Sequence, residues 1–293
     1  MQLRGQITFT GTDVDRAALR RRDVAWLDQA RSAASTRLVA VGPATKLLVA
    51  DGSCLCRLDP AFLGEEPGLT FLGLDSKGGA IFALDCGSEG PGLEGFTFEE
   101  LRALAAVLPA GEAAIAAHAV AMVGWHRRHR YCGACGSPTE VQEGGHSRRC
   151  TACGLQHFPR TDPAVIMLVT DGQRAVLGRR PGAGGRWSVL AGFVEPGETL
   201  EHAVAREVQE EVGLRVVAAR YLGSQPWPFP ANLMLGFEAR AEPGPTRLDD
   251  ELEEARWFTR QDLRDTLSQR GVDIPAPISI AHHLIQAWLA AGS

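Results

Sequence analysis

The sequence predicts an α/β (α+β) chain of more than one domain, with a short cysteine module between two larger parts. Three observations lead there. The 293 residues exceed the usual size of one compact unit. Four cysteines fall into two CxxC pairs separated by fourteen residues. Strand-like runs alternate with helical periodicity on both sides of those pairs. The parts divide at 1–125, 126–158 and 159–293.

In the first part, Arg37 to Val41 and Lys46 to Ala50 read as strands. Leu69 to Leu74 and Ala80 to Asp85 read as a second pair split by a KGG turn. Gly87 to Gly95 reads as a loop. From Thr97 the apolar residues Leu101, Leu104, Ala105 and Leu108 recur at helical spacing, and an alanine-rich helix is expected from about Gly111 to Trp125. No catalytic signature and no internal repeat stands out. The middle part is too small to hold a core without a staple. The third part opens with AVIMLV and AVLGRR joined by Asp171-Gly172, which reads as a hairpin. A helix follows from about Thr199 to Val212, closed by Gly213 as a left-handed cap. Ala281, Leu284, Ile285, Trp288 and Leu289 share one face of a terminal helix.

Composition excludes several function classes. Hydrophobic residues at 45% and charged residues at 22% are ordinary for a globular chain. Thirty Lys and Arg against thirty-five Asp and Glu leave a net charge of -5, so a general polyanion-binding role lacks its electrostatic footprint. No signal-like N-terminus and no bilayer-length apolar run is present, so the expectation is a cytoplasmic protein with no membrane partner.

Seven cysteines are an odd count, which points to a reducing compartment and metal ligation. Cys132, Cys135, Cys150 and Cys153 are expected to hold one structural Zn²⁺, because each CxxC supplies two sulfurs from one tight turn and four thiolates leave no open position for catalysis. Gly133, Gly136 and Gly154 permit the bends. Two disulfides, or four unrelated buried thiols, are the competing readings. Arg127, Arg128, Arg130, Arg148 and Arg149 surround the module with only Tyr131 as an aromatic, which argues against a nucleic-acid surface. Cys54, Cys56 and Cys86 read as small buried hydrophobes, and His118, His157 and His202 as ordinary core or surface residues.

The segment GFVEPGETLEHAVAREVQEEVGL, Gly192 to Leu214, carries the chemistry. Glu207, Glu210 and Glu211 fall on one side of a helix at about 100° per residue. Like charges crowd unfavourably there unless a cation sits among them, and hard oxygen ligands suit Mg²⁺ or Mn²⁺. A solvated acidic helix face is the bland alternative. The segment resembles the Nudix box, Gx5Ex7REUxEExGU with U aliphatic, at Gly192, Glu198, Arg206, Glu207, Val208, Glu210, Glu211, Gly213 and Leu214. The resemblance implies a Nudix α/β/α sandwich and metal-assisted hydrolysis of a diphosphate, with several cations per site. Glu207 and Glu211 are the expected ligands, and Glu210 is either a third ligand or the base. Arg206 and Glu198 are expected to pair and orient the cluster. The resemblance also implies a carbonyl ligand at Ala191 and a further carboxylate at Glu251.

Beyond the box, SQPWPFPAN from Ser224 to Asn232 resembles the SQPWPFPxS signature of the NADH pyrophosphatase (NAD-capped RNA hydrolase) subfamily, with Asn232 where serine is usual. Pro226, Pro228 and Pro230 hold Gln225, Trp227 and Phe229 extended. The expected result is an aromatic ledge for a flat base, with Gln225 offering donor and acceptor to its edge. Ala231 and Asn232 complete the motif. WHRRHRYCGACG, HFPRTDPAVI and PISIAHHLI also resemble this subfamily, which implies substrate contacts at Phe158, Phe193 and the Ala281 backbone, and a homodimer. The implied substrate is a small-molecule dinucleotide, NADH or NAD cleaved to nicotinamide mononucleotide and AMP, or the 5′ end of an NAD-capped RNA. A hydrolase of ADP-ribose or another nucleoside diphosphate derivative, and a non-catalytic zinc-ribbon regulator binding nucleotide or nucleic acid, are the alternatives.

Overall fold

A computed structural model describes residues 3, 7–11, 13–50, 54, 55, 58, 68–87, 96–182, 184–248, 250–269 and 273–291. The chain divides into two compact units. One contains Met1–Thr8, Asp162–Trp227 and Asn232–Ser293, the other Phe9–Thr161 and Pro228–Ala231.

In the second of these units, strands β1 (Arg37–Val41), β2 (Leu47–Ala50), β3 (Cys54–Leu55), β4 (Gly68–Leu74), β5 (Ala80–Asp85) and β6 (Phe96–Glu99) form one sheet. Its order is β3-β2-β1-β5-β4, with β6 added beside β2. Helix α1 (Val24–Ser32) contributes Leu27 and Ala30 to a core with Leu38, Leu48, Phe71 and Phe82. After the short α2 (Leu101–Leu104), the long α3 (Ala110–Arg128) packs on β1, β4 and β5. The helix expected from Thr97 begins later than its periodicity implied. Residues 97–99 instead pair with β2, Val49 opposite Thr97 and Leu47 opposite Glu99, because Phe96 and Phe98 gain more from the sheet than from an isolated turn. The expected loop at 87–95 lies outside the described residues except for Gly87.

The same unit carries a three-stranded antiparallel ribbon of β7 (Thr139–Gln142), β8 (Ser147–Cys150) and β9 (Gln156–His157).

The other unit is an α/β/α sandwich. Its sheet runs β13-β14-β10-β11-β15, with β12 paired to β10. The strands are β10 (Asp162–Thr170), β11 (Arg174–Arg179), β12 (Leu190–Phe193), β13 (Val216–Trp227), β14 (Asn232–Ala241) and β15 (Glu254–Thr259). Side chains alternate across β10 with the two-residue period of a strand. Val165, Met167 and Val169 meet α4 (Leu200–Val212) on one face. Ile166 and Leu168 meet α5 (Arg260–Leu267) and α6 (Ile280–Ala290) on the other.

The two large sheets share a plan that the sequence did not reveal. In both, the first, second, third and fourth strands of a β4-β5-β1-β2 or β13-β14-β10-β11 series lie in the same spatial order, and the central pair, β1 with β5 or β10 with β14, is parallel. The C-terminal sheet adds β12 and α4 within that series; among the described residues, no helix lies between β3 and β4.

Candidate functional site

Helix α4 is placed by its own sequence. Thr199 caps it by accepting from the His202 N–H, and Gly213 closes it at φ 70°. Val204, Val208 and Val212 recur every fourth residue and are fully buried, each contributing roughly 1.5–3 kcal/mol by leaving water. Around the axis, Glu211, Glu207 and Glu210 stand about 20°, 60° and 120° from Val204. Their side-chain exposures rise in that order, 3%, 14% and 55%. The helix thereby sinks one carboxylate into the apolar stripe, sets a second at its edge and leaves a third in solvent.

Arg206 clamps this arrangement. It donates to both carboxylate oxygens of Glu198 at 2.6 and 3.1 Å, to Glu207 at 2.8 Å, to Glu210 at 2.9 Å and to the Phe193 carbonyl at 2.8 Å. Those bonds, with the Glu195 backbone N–H, hold the Glu198 carboxyl down to about 2. Gly192 is required by the same packing, since a Cβ there would stand 1.9 Å from the Glu207 carboxyl carbon.

Glu211 sits in surroundings unfavourable to a charged carboxylate. Burial pushes its carboxyl up to about 7, against the pull of the nearby Arg180, and its Oε2 is buried without a hydrogen-bond partner. Burial likewise raises Glu207, with Arg206 opposing. A buried orphan carboxylate oxygen among acidic neighbours fits a hard divalent cation, whose charge removes the desolvation penalty. One residue that the sequence reading missed already stands there. Arg180 Nη2 lies 3.3 Å from the Ala191 carbonyl oxygen, 3.3 Å from Glu211 Oε1 and 3.5 Å from Glu251 Oε2. Three groups expected as ligands therefore converge on one cationic atom. A signal for it existed in the sequence, the second arginine of GRR at the end of β11, but nothing local distinguished it from Arg179.

The proline-aromatic motif differs from its expectation in two respects. Gln225 is fully buried and both ends of its amide are engaged. Its Nε2 donates to the Thr8 and Ile278 carbonyls at 3.1 and 2.7 Å, and its Oε1 accepts from the Ile280 N–H at 2.8 Å. It ties β13 to the start of α6, with its amide engaged within the fold. Residues 225–227 are extended within β13, but Phe229 lies in the turn Pro228–Ala231, because the chain must reverse to bring Asn232 opposite Trp227. There the Arg102 guanidinium covers the Phe229 ring at 4.4 Å. Asn232 Oδ1 is buried without a hydrogen-bond partner. Pro226 and Pro230 are exposed, Pro228 is buried, and Trp227 and Ala231 are half-buried. Phe193 is exposed at the end of β12 and Phe158 is exposed after the ribbon. Ala281 is buried, and its N–H is engaged by the Ser279 hydroxyl at 3.2 Å.

The four ribbon cysteines form one cluster, with all sulfurs within 4.8 Å of one another. The Cys135–Cys150 and Cys132–Cys153 sulfurs are 3.4 and 3.7 Å apart, close to the roughly 3.8 Å edge of a tetrahedron with zinc–sulfur bonds of about 2.3 Å. The two knuckles repeat one backbone pattern. The Gly136 N–H bonds the Cys132 carbonyl and the Gly154 N–H bonds that of Cys150, with both glycines left-handed at φ 74° and 73°. Gly133 needs no such freedom. The Ser137 N–H and hydroxyl draw the Cys135 thiol down, while against the pull of the Leu155 N–H its neighbours Cys150 and Cys135 push Cys153 up, so that four thiolates together need a cation among them. Of the upstream cysteines, Cys86 is half-buried with its thiol pushed up to about 11 by burial; Cys56 and the side chain of Cys54 lie outside the described residues. Among the basic residues near the ribbon, Arg127 is held by Asp85 and Arg148 is buried against Thr139 and His126.

Three domain families match consecutive stretches of the chain. They are the NADH pyrophosphatase-like rudimentary NUDIX domain at 34–125, the NADH pyrophosphatase zinc ribbon domain at 127–158 and the NUDIX domain at 160–277. The NAD-capped RNA hydrolase NudC of Stutzerimonas stutzeri is 46% identical over 168 residues, which are 57% of this chain and 58% of that one. The NAD-capped RNA hydrolase NUDT12 of Homo sapiens is 42% identical over 193 residues, 61% of this chain and 42% of that one. The match spans less than two thirds of either relative. Among solved structures, a NUDIX hydrolase from Nitrosomonas europaea aligns over 55% of this chain and 90% of its own at 22% identity, with a TM-score of 0.45. No described helix is long and apolar enough to cross a membrane.

Proposed function

The chain belongs to the NADH pyrophosphatase subfamily of the Nudix hydrolases, and on that premise we propose that it hydrolyses the pyrophosphate bond of NADH or NAD to nicotinamide mononucleotide and AMP. The convergence of the Ala191 carbonyl, Glu211 and Glu251 on one cation position carries the proposal. Mg²⁺ or Mn²⁺, several per site, would neutralise the diphosphate there and polarise phosphorus toward water. Glu207 and Glu211 supply oxygens from consecutive turns of α4, and Arg206 fixes the direction of Glu207. Glu210, at the solvent edge, takes the proton of the attacking water. Phe193 and Trp227 offer ring faces to a base, and the unpartnered Asn232 oxygen accepts from the substrate. The same chemistry applied to an NAD-capped RNA would free its 5′ end, a reading supported by the names of the relatives.

The internal engagement of Gln225 favours a second reading, in which ADP-ribose or a related diphosphate is the substrate and the motif serves packing. A non-catalytic zinc-ribbon regulator is disfavoured, since Arg127 and Arg148 beside the ribbon are held internally. We further propose one structural Zn²⁺ per chain, a homodimer, a cytoplasmic location and functional divisions at 1–125, 126–158 and 159–293. Side-by-side turnover of NADH, NAD, ADP-ribose and an NAD-capped RNA with Mg²⁺ or Mn²⁺ tests the substrate. The highest kcat/KM on NADH, NAD or the capped RNA is expected; a preference for ADP-ribose establishes the second reading, and no turnover of any overturns both.

A further inference from the structure

Two arginines follow one another at the end of β11 and are held very differently. Arg179 is anchored, with Glu253 at 2.8 Å and Glu254 at 2.9 Å. Arg180 reaches the Ala191 carbonyl, Glu211 and Glu251 only at 3.3, 3.3 and 3.5 Å, the outer limit of hydrogen bonding. Its side chain is 56% exposed. Beyond it Gly182, Gly184 and Gly185 all have positive φ, and a Cβ at Gly182 or Gly184 would meet nothing within 4 Å. By contrast Arg206 makes bonds of 2.6 to 3.1 Å to partners that include both carboxylate oxygens of the half-buried Glu198. One arginine is a clamp and the other a loose counter-ion.

We propose that Arg180 is a displaceable resident cation. In the metal-free protein its guanidinium neutralises the Ala191, Glu211 and Glu251 oxygens, and it swings into solvent when a divalent cation takes them. The inference rests on the reading of those groups as metal ligands. Its consequence is that Arg180 sets the metal concentration at which the site fills. A guanidinium and a divalent cation cannot share the same oxygens without strong repulsion, so a cation that takes the Ala191 carbonyl, Glu211 Oε1 and Glu251 Oε2 must expel the arginine. Once expelled, the side chain stands at the rim of the diphosphate site as a movable positive charge.

The test is Mn²⁺ affinity, read from the electron paramagnetic resonance signal of free Mn²⁺ in titrations of zinc-loaded full-length protein. Arg180→Gln removes the competitor, and we expect it to bind Mn²⁺ roughly tenfold more tightly, equal to about 1.4 kcal/mol. Arg180→Lys, which keeps a charge without the planar fork, is expected to fall between. The metal-free Arg180→Gln protein melts lower than wild type, and the difference closes at saturating Mn²⁺. A merely structural arginine predicts the opposite sign, weaker binding. Unchanged or weaker Mn²⁺ binding in both variants, with intact melting curves, overturns the proposal alone. If Glu211→Gln leaves wild-type Mn²⁺ binding untouched, the reading of the metal site fails and the proposal with it.

Discussion

Three glutamates separated by three residues and one residue on α4 behave as three different groups because rotation about the helix axis buries them to different depths. Glu211 gains most from a cation, Glu207 depends on the bare backbone of Gly192, and Glu210 stays with solvent and Arg206. Gly192→Ala is accordingly expected to push the Glu207 carboxylate aside, since the added carbon would stand 1.9 Å from it. Misplacement of a reacting group by about 1 Å costs on the order of a hundredfold in rate; kcat on NADH measures it, and a melting temperature near that of wild type shows that the fold survives. Arg206→Lys keeps the charge but loses the bidentate grip on Glu198. Its kcat is expected to fall while KM changes little, because the residue orients the acidic cluster without meeting substrate in this account; a rise in KM alone contradicts that role.

At the scale of elements, α4 owes its position to caps and a valine stripe. Thr199→Ala, which removes the hydroxyl acceptor at its N-terminus, is expected to lower stability by about 1 kcal/mol in urea unfolding. In the ribbon, thiol modification is expected to release one equivalent of zinc per chain, read with a colorimetric chelator, with loss of the β7–β8–β9 structure. These elements were legible because their signals are local: a capping threonine, a closing glycine, a four-residue apolar repeat, two CxxC turns. Residues 97–99 were misread because helical spacing further along the chain masked a strand whose partner, β2, lies about fifty residues earlier. Gln225 was misjudged for the same reason. Its partners, at positions 8, 278 and 280, are distant in sequence, and only the fold brings them to its amide. Arg180 was invisible because its role depends on three groups contributed by β12, α4 and the segment before β15.

Across the whole molecule, charge and burial make stability depend on pH through histidines of the ribbon-bearing unit. Burial, then the Arg16 charge, pushes His118 down to about 3, and burial, then Arg148, pushes His126 down to about 4, from an ordinary 6.5. The Arg148 guanidinium lies 3.0 Å from His126 Nδ1 and the Gly145 carbonyl 2.9 Å from Nε2, an arrangement that requires the neutral ring with its proton on Nε2. The unfolded chain takes up protons as pH falls below 6.5, while the folded chain refuses them until about 4 and then 3. Stability from these groups is therefore complete above pH 6.5 and declines progressively below it. Melting temperature against pH checks the sign, and His126→Gln is expected to flatten part of the acid limb. The shared strand plan of the two sheets belongs to this scale too. It was not legible in the sequence because the common feature is spatial order and a parallel central pair, carried by different side chains, and among the described residues only the C-terminal sheet is accompanied by the acidic helix.

The most direct measurement of the account is release of nicotinamide mononucleotide and AMP from NADH at saturating Mn²⁺, wild type beside Glu211→Gln. The buried carboxylate is predicted to be indispensable, so the wild type forms both products in equal amounts, chelation stops it, and the variant turns over at least about a hundredfold more slowly. Undiminished, metal-independent cleavage by Glu211→Gln would contradict the assignment of the acidic helix as the catalytic centre.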